Sequence, residues 1–222
     1  MSSQRSPFAS AAPATAEEEA YDYILERVRL GHFKPGDRIK SEDIAAATDM
    51  SRMPVREAFR RLATEGLLVL RPNRGASVVT LSAADIGEIF AIRAALEGLA
   101  ARYAVEHFDG QSRGDLAYLL GRMEYARQVD SGDWLAAHRQ FHEYVCSIAR
   151  RPRLLRQIAS LYTVLEPYMR LWLIHTEQPH SARVQCEHRE IVNALASGDA
   201  DRAEQTIREH ILTTTTDLTR VL

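Results

Sequence analysis

The pattern of chain breaks changes abruptly near residue 80, and that change limits the possible folds more than any other feature of the sequence. Before it, Gly, Pro and short apolar runs alternate with brief helical stretches. After it, apolar residues recur at helical spacing almost to the C-terminus. Glu17 to Leu30 places Tyr21, Ile24, Leu25 and Val28 on one face and predicts a first helix that Gly31 stops. Lys34-Pro35-Gly36-Asp37 predicts a type II turn. Ser41 is the expected cap of a short second helix ending at Asp49, with Glu42 and Asp43 in its first turn. Ser51 is the expected cap of a third helix running to about Glu65, with Pro54 tolerated in its first turn. Leu67 to Leu70 and Ala76 to Thr80 flank Arg71-Pro72-Asn73-Arg74-Gly75 and predict a hairpin with a basic tip. Three helices and such a hairpin make a winged helix-turn-helix.

Ser82 and Asp85 then read as a capping pair, with Leu81 and Ile86 placed as a hydrophobic staple. Six helices follow, at about 83–107, 112–129, 132–149, 152–175, 180–197 and 200–221, punctuated by Gly110, Gly132, Pro152, Pro179 and Gly198. Their lengths suit an antiparallel bundle. The expected fold is mainly α: a disordered Ser/Ala/Pro tail over 1–16, a winged helix-turn-helix over 17–80, and a helical domain over 81–222.

Charge is distributed to match. The chain as a whole carries a net charge of -2, but residues 20–80 hold 11 Lys/Arg against 8 Asp/Glu, whereas residues 81–222 hold 16 against 19. A cationic front on a weakly acidic body suggests that only the front meets a polyanion. With 45% hydrophobic and 26% charged residues, the composition excludes collagen-like, disordered and disulfide-scaffold classes. No run approaches the roughly 20 apolar residues that span a bilayer, and the first residues lack the apolar segment of an export signal. Cys146 and Cys186 are therefore expected as reduced thiols in the cytoplasm, with no membrane partner.

In the third helix Val55, Ala58, Phe59 and Leu62 form one stripe, while Arg52, Arg56 and Arg60 recur on a neighbouring face. A recognition helix needs this arrangement, one face packed and the other offering guanidinium groups to guanine edges and phosphates. A solvated helix face explains the arginines alone equally well. The basic-tipped hairpin that follows favours DNA.

Four histidines form a second pattern. His138 and His142 are spaced i, i+4 on one helix, as in helical zinc sites. His188 and His210 lie 10 residues before and 12 after Gly198, which places them roughly 15 and 18 Å from the turn of an antiparallel hairpin. Three helices can thus bring four imidazoles to one ion, although polar decoration of surface or core accounts for a lone i, i+4 pair.

Pro35-Gly36-Asp37-Arg38, the run from Ser51 to Leu62 (SRMPVREAFRRL), Glu65-Gly66-Leu67 and Arg71 to Val78 (RPNRGASV) resemble the N-terminal domain of GntR-family transcription regulators. Arg93-Ala94-Ala95-Leu96-Glu97 resembles the R-x-x-L-E of the FadR-type C-terminal ligand-binding domain (FCD), so that the likeness covers about residues 20–215. It implies a DNA-contacting set of Arg38, Ser51, Arg52, Met53, Pro54, Arg56, Arg60, Arg74 and Gly75. It further implies a homodimer whose two heads read the half-sites of a palindromic operator in double-stranded DNA. Asp49 stands in place of the usual turn Gly, which Asp tolerates, and Met53 where Thr is commoner.

Metal-binding FCD proteins use Asp-x3-His on one helix and one His on each of the last two. His142, His188 and His210 match the histidines, and His138 replaces the Asp. A neutral ligand there leaves the site more positive and shifts it toward Zn²⁺ or Ni²⁺. A three-His site without His138 is the alternative. Cys146, one turn further along, is expected as a buried thiol rather than a fifth ligand. Arg93 is expected either to pair with Glu97 at i+4 or, by the resemblance, to meet the carboxylate of a small organic-acid effector. Two other functions compete with a ligand-controlled repressor: a metal-dependent hydrolase, and a sensor in which the ion is itself the signal. Glu187 is turned about 100° from His188, which weighs against hydrolysis.

Overall fold

The first 80 residues and the helices after them bury their apolar side chains in separate clusters. The computed structural model describes residues 15–71, 75–129, 131–175 and 182–219; the wing-tip Arg74 and residues 1–14 of the tail expected over 1–16 lie outside them, while Thr15 and Ala16 of that expected tail begin the first helix. Helix α1 (Ala16–Arg29) opens with a capping box in which Thr15 and Glu18 satisfy each other's backbone N–H groups. Strand β1 (Arg38–Ile39) precedes α2 (Ser41–Thr48) and α3 (Arg52–Thr64), and β2 (Leu68–Arg71) and β3 (Gly75–Val78) complete the wing. Ile24, Val28, Ile39, Val55, Phe59 and Leu62 fill the first core, and all four residues of the stripe expected on α3 are buried in it.

Three local expectations change. The wing is a sheet of three strands, not two, in the order β1-β3-β2, with Arg38 opposite Ser77 and Ile39 opposite Ala76. Lys40, not Ser41, is the N-cap of α2, so the Ser41 hydroxyl lies inside the first turn and caps nothing. Ser51 does occupy the N-cap of α3, without a side-chain hydrogen bond to it. Asp49 ends α2 in the left-handed region at φ 53 and ψ 40, as its turn requires.

The bundle comprises α4 (Ala83–Ala104), α5 (Gly110–Val129), α6 (Ser131–Ile148), α7 (Pro152–His175), α8 (Ala182–Ala196) and α9 (Ala200–Thr219). Ser82 and Asp85 form the expected capping box at the start of α4, and Leu81 packs on the core that contains Ile86. Trp134, Phe141, Trp172, Phe90 and Met123 are buried at its centre. Helices α4 and α9 lie close together because Gly98 has no side chain: a Cβ there would come within 2.7 Å of Arg208 Cγ.

Helix α7 also seats the winged head. Tyr168 Oη accepts from the Leu81 N–H at 2.6 Å and donates to the Val79 carbonyl at 3.2 Å. Glu166 accepts from Arg29 Nε at 2.8 Å. Pro167 follows it inside the helix and leaves the Thr163 carbonyl without its usual i+4 donor.

Candidate nucleic-acid interface and metal centre

The outer face of α3 is cationic and open. Met53 is 63% exposed, and the side chains of Arg52 and Arg60 are 67% and 56% exposed. Arg52 pairs with Glu42 at 3.1 Å across the turn to α2, and Arg60 with Glu57 in its own helix. Among the described residues Arg56 has no acidic partner. Arg38, Lys40 and Arg71 face these three arginines across a cleft of about 470 Å³ between α3 and the wing. Lys40 and Arg71 were not among the expected residues; Lys40 follows β1, whose two residues carry no period to read, and Arg71 ends β2 opposite Gly75. Gly75 has φ +84, and a Cβ on it would lie 2.3 Å from the Ile39 carbonyl, so its missing side chain lets β3 pair with β1.

Inside the bundle, α6 supplies His138 and His142, α8 His188 and α9 His210. One ligand atom from each lies within 4.8 Å of the others, and all four residues are buried. The His188 and His210 ring centroids are 4.5 Å apart across the α8–α9 hairpin, and those of His138 and His142 4.7 Å apart along α6. His138 stacks on Trp134 at 4.8 Å.

Two carboxylates hold the rings from behind. His142 Nδ1 donates to Glu97 at 3.2 Å, and His210 Nδ1 to Glu187 at 2.9 Å, which leaves each Nε2 facing inward as a lone pair. Those Nε2 atoms and a ring nitrogen of His188 are buried with no hydrogen-bond partner. Buried polar atoms rarely go unpaired, and so many in one place fit a cation held among neutral imidazoles. Burial, reinforced by the neighbouring rings, pushes His138 and His188 well below the ordinary histidine value. Burial also takes His142 down to about 4 against the opposing pull of Glu97. The rings of His138, His142 and His188 are thus held toward the neutral form, the form that binds metals. Cys146 is a buried free thiol outside the cluster, raised well above its usual value by burial.

Arg93 takes the internal alternative. Its side chain is 3% exposed, pairs with Glu97 at 2.8 Å, and lies 4.1 Å from the Tyr162 ring centroid. Burial would raise the Glu97 carboxyl, but the Arg93 charge and the bonds from His142 and Arg93 overcome it and hold it at about 2. Tyr162 Oη donates to Glu97 as well, at 2.9 Å. Beside this network is a cavity of about 20 Å³, lined by Arg93, His138, Arg139, Tyr162 and Glu166. Sequence reasoning paired Glu97 only with its helical neighbour. It missed Tyr162 and His142 because they are 65 and 45 residues away. Glu187 could have been found: one position before His188, it faces the neighbouring helix that carries His210.

The family model for bacterial regulatory proteins of the gntR family matches residues 16–78, and the FCD domain model matches residues 88–213. The chain belongs to the GntR family, in its FCD-bearing branch. A probable D-xylose utilization operon transcriptional repressor from Paenarthrobacter nicotinovorans is 32% identical over 197 residues, covering 89% of this chain and 86% of the relative. The Nta operon transcriptional regulator of Aminobacter aminovorans is 32% identical over 59% of this chain and 62% of the relative. Among solved structures, E. coli McbR/YncC shares the fold with a TM-score of 0.82 at 23% identity, covering 94% of this chain and 99% of that one. This GntR chain is a DNA-binding transcription regulator and not an enzyme. Among the described residues no helix is long and apolar enough to cross a membrane.

Proposed function

We propose that this GntR regulator acts in the cytoplasm as a homodimeric repressor. Its operator affinity is set by a small organic acid bound beside a divalent ion, Zn²⁺ or Ni²⁺, in the helical domain. The observation that carries this reading is the set of four buried imidazoles with ligand atoms within 4.8 Å of one another, three of which keep a ring nitrogen without a hydrogen-bond partner. His138, His142, His188 and His210 would hold the ion, with Glu97 and Glu187 fixing two of the rings. Bound there, the ion offers an anionic ligand a Lewis-acidic position to which a carboxylate can bind. Arg93 lines the adjoining cavity with its charge already matched by Glu97, so it orients a ligand more than it attracts one.

In the head, Arg38, Ser51, Arg52, Met53, Pro54, Arg56, Arg60, Arg74 and Gly75 form the proposed DNA-contacting set, in a module bounded at about residue 80. Exposure of Arg52, Met53 and Arg60, and the unpaired Arg56, support the part of it that is described. Relatives whose names identify them as repressors support the sign of regulation.

The size of the cavity, about 20 Å³ or room for one water, favours a second reading in which the ion itself is the signal. A chelator separates the two. Operator binding is measured by anisotropy on a duplex selected from a random library, and metal by elemental analysis of the protein. An organic-acid regulator keeps operator binding after chelation and loses only its effector response. A metal sensor loses the DNA response altogether. A preparation that carries no metal and binds none overturns both readings.

A further inference from the structure

We propose that Glu166 is the positioning residue through which the cavity beside the histidines sets the docking of the winged head. This rests on the reading that an anionic effector enters that cavity. Glu166 stands on α7 with its side chain 9% exposed, and its two oxygens face opposite ways. Oε2 accepts from Arg29 Nε at 2.8 Å, in the last turn of α1. Oε1 faces Arg139 Nε at 3.6 Å, an ion pair too long to be a hydrogen bond. That Nε is buried and has no hydrogen-bond partner. Arg139 follows the candidate ligand His138 on α6, and Arg139 and Glu166 both line the cavity. One carboxylate thus joins the winged head to the wall of the effector site.

The cavity holds about one water, so any organic acid that enters must move part of its wall. The Arg93–Glu97 side of the wall is held by short bonds from Tyr162 and His142, with both side chains almost fully buried. The Arg139–Glu166 side is the one that gives: its contact is long and Arg139 keeps a free donor. An incoming anion draws Arg139 toward itself and repels Glu166, and the Arg29 anchor loses its fixed partner. Pro167 places a missing backbone bond in α7 beside Glu166, where small rearrangements cost least. The anion then loosens the head without touching it.

Hydrogen–deuterium exchange on the full-length protein tests this with no ligand present, so a failure here is separate from a failure of the organic-acid reading. Glu166→Gln should speed exchange in the last turn of α1 roughly threefold or more, leaving α4 and α9 at the wild-type rate. Arg139→Met should do the same, although the ion pairs of Arg139 are with Glu143 and Glu166 and not with the head. In the Glu166→Gln background Arg139→Met should add nothing at α1. A wild-type α1 rate in Arg139→Met, or equal effects of Arg139→Met in both backgrounds, overturns the proposal. Should Glu166→Gln fail to fold, Arg29→Met and its combination with Arg139→Met supply the same comparison.

Discussion

The head and the bundle use charge in opposite ways. On α3 the arginines are exposed and loosely paired, and one is unpaired. Their value lies in what approaches from solvent, and salt screens it. In the bundle Arg93 and Glu97 are almost wholly buried, and each charge is matched at hydrogen-bond distance. Among the groups left wanting there are ring nitrogens of His142, His188 and His210. The unsatisfied groups match what each region is proposed to bind: a polyanion outside, a cation inside.

Removing one buried charge should have the largest effect. Glu97→Ala leaves Arg93 unpaired and should cost about 3–5 kcal/mol, read by denaturant unfolding of the metal-free protein. If the loss is under about 1 kcal/mol, the bundle charges are as loosely held as those of the head. Acid should reach the same network. Glu97 is held at about 2 against 4.5, so its contribution is whole above pH 4.5 and is lost as pH falls toward 2. His142 is held at about 4 against 6.5, so the unfolded chain takes up the proton first and stability falls from pH 6.5 to pH 4. Each loss is of order 3 kcal/mol at full extent. Metal-free unfolding titrated over this range checks it, and a flat profile from pH 6.5 to pH 4 contradicts a buried neutral cluster.

On the outside, Arg56→Ala should weaken operator binding by about 1–3 kcal/mol and leave unfolding within about 0.5 kcal/mol of wild type. Operator affinity measured at two salt concentrations checks both this and the screening argued above. The smallest effect is local. Ser82→Ala removes the α4 cap and should cost about 1 kcal/mol in stability with operator affinity unchanged at saturating protein stability.

Local signals were readable because their causes are local. The Ser82–Asp85 box, the left-handed Asp49 and the buried stripe of α3 each follow from residues a few positions apart. The heights of His188 and His210 followed from helical rise and a single turn. Features that depend on packing did not show. Ser41 has the chemistry of a cap, but pairing of β1 with β3 holds Lys40 extended and moves the helix start by one residue. Glu97 meets Arg93, His142 and Tyr162, of which only Arg93 is a sequence neighbour. Arg29 and Glu166 are 137 residues apart, and no period or spacing joins them.

The grip of Tyr168 on Val79 and Leu81 has a consequence for operator geometry. The connector between reader and bundle is strapped down at both faces of one phenol, so it is no tether. Two readers in a dimer would inherit their separation from how the bundles pair, much as the prongs of a fork take their gap from the handle. Half-site spacing then belongs to the helical body, and lengthening the connector would change it only after that strap is cut.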